Sequence, residues 1–427
     1  MFGPENAQSL LGVFVTMAIC WVLSERRGAF PWRLAIGALA VQAGLVLLLF
    51  GLPSARAVLS GAGAMVDGLS SSTEAGTAFV FGFLAGGSAQ PFAVTNPGGL
   101  YILAFHVLPV ILVVCALSAL LWHWRILKWV IQGFGLVFER LMGLRGAPAL
   151  ASAATIFMGQ VEGPIFIRNY LPALSRSELF LLLSVGMSCV AGSTMVAYAT
   201  ILKGVLPNAA AHVLTASLIS APAGVLLARI LVPRDPAAES GSDREIVDEK
   251  LYESSVDALI KGTEVGLEIT LRIAATLIVF VSLVAMVDGV LGLFAPVGGA
   301  PLSLERGFGL LFAPLAWCLG IPWREAQVAG SLLGVKLMLT EFTAFFQLAK
   351  LGPEAISDRT RVIMTYALCG FANIASVGIN VAGYSILVPT RRKEVIGMVW
   401  KAMLAGFLAT CMTASVVGAL PSALFAK

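Results

Sequence analysis

The chain has 427 residues, 58% of them hydrophobic and only 12% charged, with a mean hydropathy of +0.90 and a formal net charge of +4. Soluble domains carry about 25% charged residues, so this composition excludes an ordinary water-soluble globule and points to a bilayer protein. The small net charge supports no nucleic-acid partner.

The amino-terminal stretch MFGPENAQSLLGVF lacks a basic n-region and a small-residue cleavage site, so no removed signal peptide is expected. Apolar runs long enough to cross about 30 Å lie near 8–24, 31–52, 100–122, 178–202, 208–232, 264–294, 362–388 and 394–420. Basic residues then set orientation. Arg26 and Arg27 follow the first run, Arg125 and Lys128 the third, and Arg391, Arg392 and Lys393 the seventh. Arg234, Arg244, Lys250 and Lys261 sit in the long polar loop 233–262. The alternate loops are poorer, with Arg56 in 53–99 and Lys203 in 203–207. Eight spans with both termini outside satisfy this pattern, and Lys350, Arg359 and Arg361 are its exceptions. The cysteines (Cys20, Cys115, Cys189, Cys318, Cys369, Cys411) lie mostly in apolar runs without CxxC spacing and read as small buried hydrophobes. Three scattered histidines (His106, His123, His212) make a zinc constellation a poor expectation.

Two apolar stretches, 148–175 and 326–349, are interrupted by glycine, proline and charge, and both ends of each fall on one side of the eight-span arrangement. Re-entrant hairpins are expected there, because broken backbone is tolerated at membrane depth only where protein or a wet cavity satisfies it. The stretch GFGLVFERLMGL at 133–144 resembles GFGLLFAPLAWCLG at 307–320. Each precedes a hairpin with a mid-run glutamate, Glu162 or Glu341. Each hairpin leads to a span with a small-residue break, GMSCVAGS at 186–193 and GFANIASVG at 370–378. One copy starts on the inner face and the other on the outer, the inverted arrangement of secondary transporters. The expected fold is an all-α polytopic membrane protein, with eight transmembrane helices plus two re-entrant helical hairpins in inverted repeats. It divides into 1–132 (three scaffold spans and an interfacial segment), 133–232 (first repeat), 233–306 (cytoplasmic loop and scaffold span) and 307–427 (second repeat).

A carboxylate in mid-membrane costs about 2.5–3.5 kcal/mol or more, which marks Glu162 and Glu341 as functional candidates. Lys336 precedes Glu341 by five residues, a rotation of about 140° on a helix, so a local ion pair is poor. Gln160 and Glu162 together offer an amide and an acceptor, suited to a neutral ligand with paired N–H and C=O edges. Glu341 with Asn373 suits two adjacent hydroxyls, as on a sugar, and Ser376 adds a hydroxyl. For Phe345 and Phe371, ligand contact and core packing are equally open. No nucleophile with a base, HExxH or paired-Asp arrangement lies in the spans, so an enzyme is not expected and no cofactor is implied.

The stretches GQVEGPIFIRNYLPALSRSELF, GVKLMLTEFTAFFQL and ALCGFANIASVGI resemble the signatures of the concentrative nucleoside transporters. In that family the first hairpin bears Gly-Gln-Thr/Ser-Glu, the second Asn-Glu-Phe-x-Ala, and the seventh span Gly-Phe-Ala-Asn. The resemblance covers most of 90–420. It implies a homotrimer in the lipid bilayer, with a rigid scaffold and a moving transport domain, and nucleoside import across an inner membrane in symport with H+ or Na+. Gln160 and Glu162 would then hold the nucleobase, with Val161 and Phe371 beside it, and Glu341, Asn373 and Ser376 the ribose. The corresponding cation positions are Thr155, Met158, Cys189 and Val190. Val161 replaces the family's Thr or Ser, which keeps a free nucleobase or modified nucleoside open as the substrate. Thr340 replaces the usual Asn before Glu341, Thr155 replaces an Asn ligand of sodium-coupled members, and Cys189 stands where they have Ser. The lost amide oxygen makes proton coupling at least as well supported as sodium.

Overall fold

The computed structural model describes residues 3–85, 91–93, 102–144, 146–234, 251–294, 296 and 301–425, and every regular element among them is helical. Arg244 and Lys250 lie outside the described residues. Seven described helical stretches are long and apolar enough to cross a bilayer. They are α1 (Pro4–Val22), α2 (Trp32–Gly51), α4 with α5 (Leu103–His106, Leu108–His123), α9 with α10 (Arg176–Ser188, Gly192–Leu202), α11 (Ala209–Leu231), α12 (Ser255–Leu291) and α18 (Arg392–Ala419). The stretch expected to span at 362–388 with a small-residue break is two short helices, α16 (Asp358–Leu368) and α17 (Ile374–Leu387), that flank the break.

One expectation needs correction. Residues 53–81, read as part of an outer loop, form the 29-residue helix α3 (Pro53–Phe81). Pro53 opens it at a position whose N–H has no intrahelical partner anyway. Its glycines, serines and threonines dilute its hydropathy without interrupting it, so composition hides a continuous helix.

The remaining helices are α6 (Ile126–Met142), α7 (Ala147–Met158), α8 (Glu162–Ile165), α13 (Leu304–Cys318), α14 (Trp323–Met338) and α15 (Glu341–Lys350). The two related stretches at 133–144 and 307–320 thus fall on α6 and α13, each just before a broken helix pair. Local chemistry sets each break. α7 stops at Gly159, whose φ of +118° is a conformation that L side chains rarely adopt. α15 restarts because the Thr340 hydroxyl accepts from the Thr343 N–H, and α17 because Asn373 Oδ1 accepts from the Ser376 N–H at 2.8 Å.

Long-range contacts sort the ends of the helices onto two faces. On one, Arg26 donates to the carbonyls of Pro233 and Arg234, Glu25 pairs with Arg176 and Lys401, and Arg391 donates to Leu171 O. On the other, Asn6 donates to the carbonyls of Gly418 and Leu420, Arg359 pairs with Glu5, and Glu325 accepts from the Ser357 N–H. Helices α9, α11 and the second half of α18 are buried on almost every residue and form the centre. α12 is the opposite case. Its only buried residues are Ala258, Gly262 and Gly266, and the two glycines bring it against α5 at Cys115–Ala116 and Leu112.

Candidate functional site

The turn 159–163 answers why a glutamate is set between glycines. Gly159 makes the left-handed turn, and a Cβ there would lie 2.6 Å from Glu162 Oε2. Gly163 then passes so close to α7 that a Cβ would stand 2.9 Å from both Cα and N of Thr155. Both glycines are needed for the chain to reverse tightly and present Gln160, Val161 and Glu162 in sequence.

The second break supplies the other carboxylate. Glu341 opens α15 and is buried, with Tyr198 OH donating to its Oε1 at 2.6 Å and Asn373 Nδ2 donating to its Oε2 at 2.7 Å. Asn373 therefore does two things at once, capping α17 with its oxygen and clamping Glu341 with its nitrogen. Ser376 Oγ accepts from Gln160 Nε2 at 3.2 Å, and Asn380 Nδ2 donates to Gln160 Oε1 at 2.8 Å. Gln160, Glu341, Asn373 and Ser376, expected to act together, thus belong to one continuous polar network drawn from four chain segments. Glu162 stands beside it, half-buried, with Oε2 over Gly159. Val161 fits against Gly383 of α17, where a Cβ would lie 2.5 Å from its Cγ1. The residue that replaces a hydroxyl therefore fills an apolar notch.

Tyr198, Asn380 and Ser217 were not singled out from sequence. Each is an ordinary polar residue in an apolar helix, and a polar side chain inside an apolar run is the signal the sequence offers. Phe345 is fully buried and stacks on Tyr198 at 4.6 Å, which places it behind the Glu341 clamp as packing. Phe371 is half-buried, and its N–H donates to Cys189 O at 3.2 Å, so the two span breaks touch directly. Lys336 makes no pair with Glu341. Its buried ammonium donates to Ala367 O at 2.7 Å and Thr410 Oγ1 at 2.6 Å.

The four cation positions gather where the end of α7 meets the α9–α10 break: a Cβ on Gly159 would lie 3.4 Å from Ala191 Cβ, and one on Gly192 3.1 Å from Phe157 O. Thr155 Oγ1 donates to Ala151 O at 2.8 Å. Cys189 O accepts from Phe371 N, and Val190 O accepts from Ser217 Oγ at 3.2 Å. Met158 is the last residue of α7. The set is all-oxygen and carries no formal charge, suited to a hard monovalent cation, although two of its carbonyls already hold one hydrogen bond each.

Comparison with known proteins places this geometry in context. Three family models match in chain order: the Na+ dependent nucleoside transporter N-terminus over 11–84, a nucleoside recognition Gate over 104–205, and the Na+ dependent nucleoside transporter C-terminus over 212–418. The nucleoside permease NupC of Helicobacter pylori is 34% identical over 96% of each chain. Solute carrier family 28 member 3 of Homo sapiens is 28% identical over 98% of this chain and 60% of its own length. Among solved structures, CNTnw in an inward-facing substrate-bound state is similar at a TM-score of 0.87 and 35% identity, covering 97% of both chains. A CNTnw variant in an outward-facing state is similar at a TM-score of 0.89 and 35% identity, again covering 97% of both.

Proposed function

The chain belongs to the concentrative nucleoside transporter family, and from that premise we propose that it imports nucleosides across an inner membrane in symport with a cation. Members of this family are transporters, not enzymes. The observation that carries the reading is the network joining Gln160 to Glu341 through Ser376 and Asn373. A carboxylate already held by two donors keeps lone pairs for a ribose diol, while an amide and a second carboxylate alongside suit a base edge. We read 148–175 and 326–349 as re-entrant hairpins of two inverted repeats. The first ends near Leu171–Arg176 on the face with Arg26 and Arg391, while the second has Glu325 and Leu348 on the face with the termini. The basic face is then cytoplasmic and both termini periplasmic. A homotrimer rests on the family resemblance alone.

For the coupling ion we favour the proton. Thr155 stands where the resemblance puts an Asn ligand of sodium-coupled members, so that amide oxygen is lost, and the Cys189 and Val190 carbonyls each already accept one hydrogen bond. Two carboxylates sit in the same region to carry a proton instead. Sodium, named in the matched family's description, is the competing reading. A free nucleobase or modified nucleoside as cargo draws on Val161 alone. Proteoliposomes kept sodium-free with an inward proton gradient are expected to accumulate labelled uridine above its outside concentration. Accumulation that follows an imposed sodium gradient at equal pH, and ignores the proton gradient, overturns the proton reading. No concentrative uptake under either gradient overturns the transport reading itself.

A further inference from the structure

We propose that Asn380 is the positioning residue that decides which end of the Gln160 amide faces the ligand, and so which base edges the carrier accepts. The inference rests on the reading of Gln160 as a base contact.

Asn380 lies on α17 one turn after Ser376 and is fully buried. Its side chain faces two acceptors, Ser376 O at 2.9 Å and Gln160 Oε1 at 2.8 Å. The first of these settles the polarity. A backbone carbonyl only accepts, so the Asn380 atom beside it is the amide nitrogen. That nitrogen has two hydrogens, and the second points to Gln160, which must answer with its oxygen. The other end of Gln160, Nε2, is thereby turned toward Ser376 Oγ at 3.2 Å. One Nε2 hydrogen goes to that hydroxyl and the other remains for a ligand.

The consequence is chemical. Next to Glu162, which only accepts, Gln160 shows a donor. A donor beside an acceptor complements a base edge that itself carries one of each, such as N3–H with O4 of uracil or N4–H with N3 of cytosine. Without Asn380 nothing else in the network dictates this orientation, because the Ser376 hydroxyl both donates and accepts. An aspartate at 380 cannot donate. It would draw Gln160 Nε2 toward itself and leave Oε1 facing the ligand, making two acceptors side by side. That pair suits an edge with two donors, N1–H and N2–H of guanine.

The test is equilibrium binding of uridine, cytidine and guanosine to the purified full-length protein, its Asn380→Asp and Asn380→Leu variants, and Gln160→Leu. Asn380→Asp is expected to lower the affinities for uridine and cytidine relative to guanosine by roughly tenfold or more, the cost of one mismatched buried bond. Asn380→Leu frees the amide to turn and is expected to shift the same ratio in the same direction by less. It decides the matter if the aspartate variant does not fold. A uridine-to-guanosine ratio unchanged in the Asn380 variants, but altered in Gln160→Leu, overturns the role of Asn380 alone. A ratio unchanged in Gln160→Leu as well overturns the assignment of Gln160 to the base, and the inference with it.

Discussion

Glu341→Gln is expected to abolish concentrative uptake while the protein still inserts and folds. The fold survives because glutamine can accept from Asn373 Nδ2 with its oxygen and donate to the Tyr198 hydroxyl with its nitrogen, replacing the two bonds now made to Oε2 and Oε1. Ligand binding does not survive. Two hydroxyls of a ribose need acceptors, the glutamine nitrogen accepts nothing, and the charge that strengthens both bonds is gone. Hydrogen bonds to a charged partner contribute about 1.5–3 kcal/mol each, so losing two weakens binding roughly 10²- to 10⁴-fold. Uptake by proteoliposomes, paired with thermal stability in detergent, checks both halves. Wild-type uptake in this variant removes Glu341 from the ribose.

Gly163→Ala should be nearly as damaging, for a steric reason. The new methyl would meet Cα and N of Thr155 at 2.9 Å, and backbone atoms inside a buried helix cannot swing aside as a side-chain tip can. The turn that carries Gln160 and Glu162 must shift instead. Overpacking of this kind costs about 1–3 kcal/mol, roughly five- to 150-fold in binding if it falls on the site. A fall in melting temperature together with uptake reduced at least tenfold is the expected pair of results. Uptake within twofold of wild type would mean that the close approach of Gly163 to Thr155 is dispensable.

The carboxylates and the helix breaks were legible in the sequence because they stand out against an apolar background. Glu162 between Gly159 and Gly163, and Asn373 after Gly370, are local signals whose meaning does not depend on distant residues. The order of elements was legible for the same reason, since 133–144 and 307–320 each announce a broken pair. What stayed hidden is what lies far off in the chain. Tyr198 reaches Glu341 across 143 positions and Asn380 reaches Gln160 across 220, and no spacing rule connects them. Ser217 is equally plain, a hydroxyl in an apolar helix that becomes meaningful only beside Val190. Phe345 shows the limit of composition: an aromatic near a carboxylate lines a ligand or backs a tyrosine, and packing alone decides. α3 escaped because its glycines, serines and threonines dilute the hydropathy by which spans are found, without interrupting the helix.

The central claim is that one network drawn from both halves of the chain holds a nucleoside by its base and its ribose together. Equilibrium binding of uridine and of uracil to the purified wild-type protein tests it most directly. Uridine should bind at least about a hundredfold more tightly than uracil, since the free base forfeits two charge-assisted bonds to Glu341 and the contacts of Asn373 and Ser376. Equal affinity for the two would contradict the claim, because the carboxylate clamped by Tyr198 and Asn373 would then have no sugar to hold.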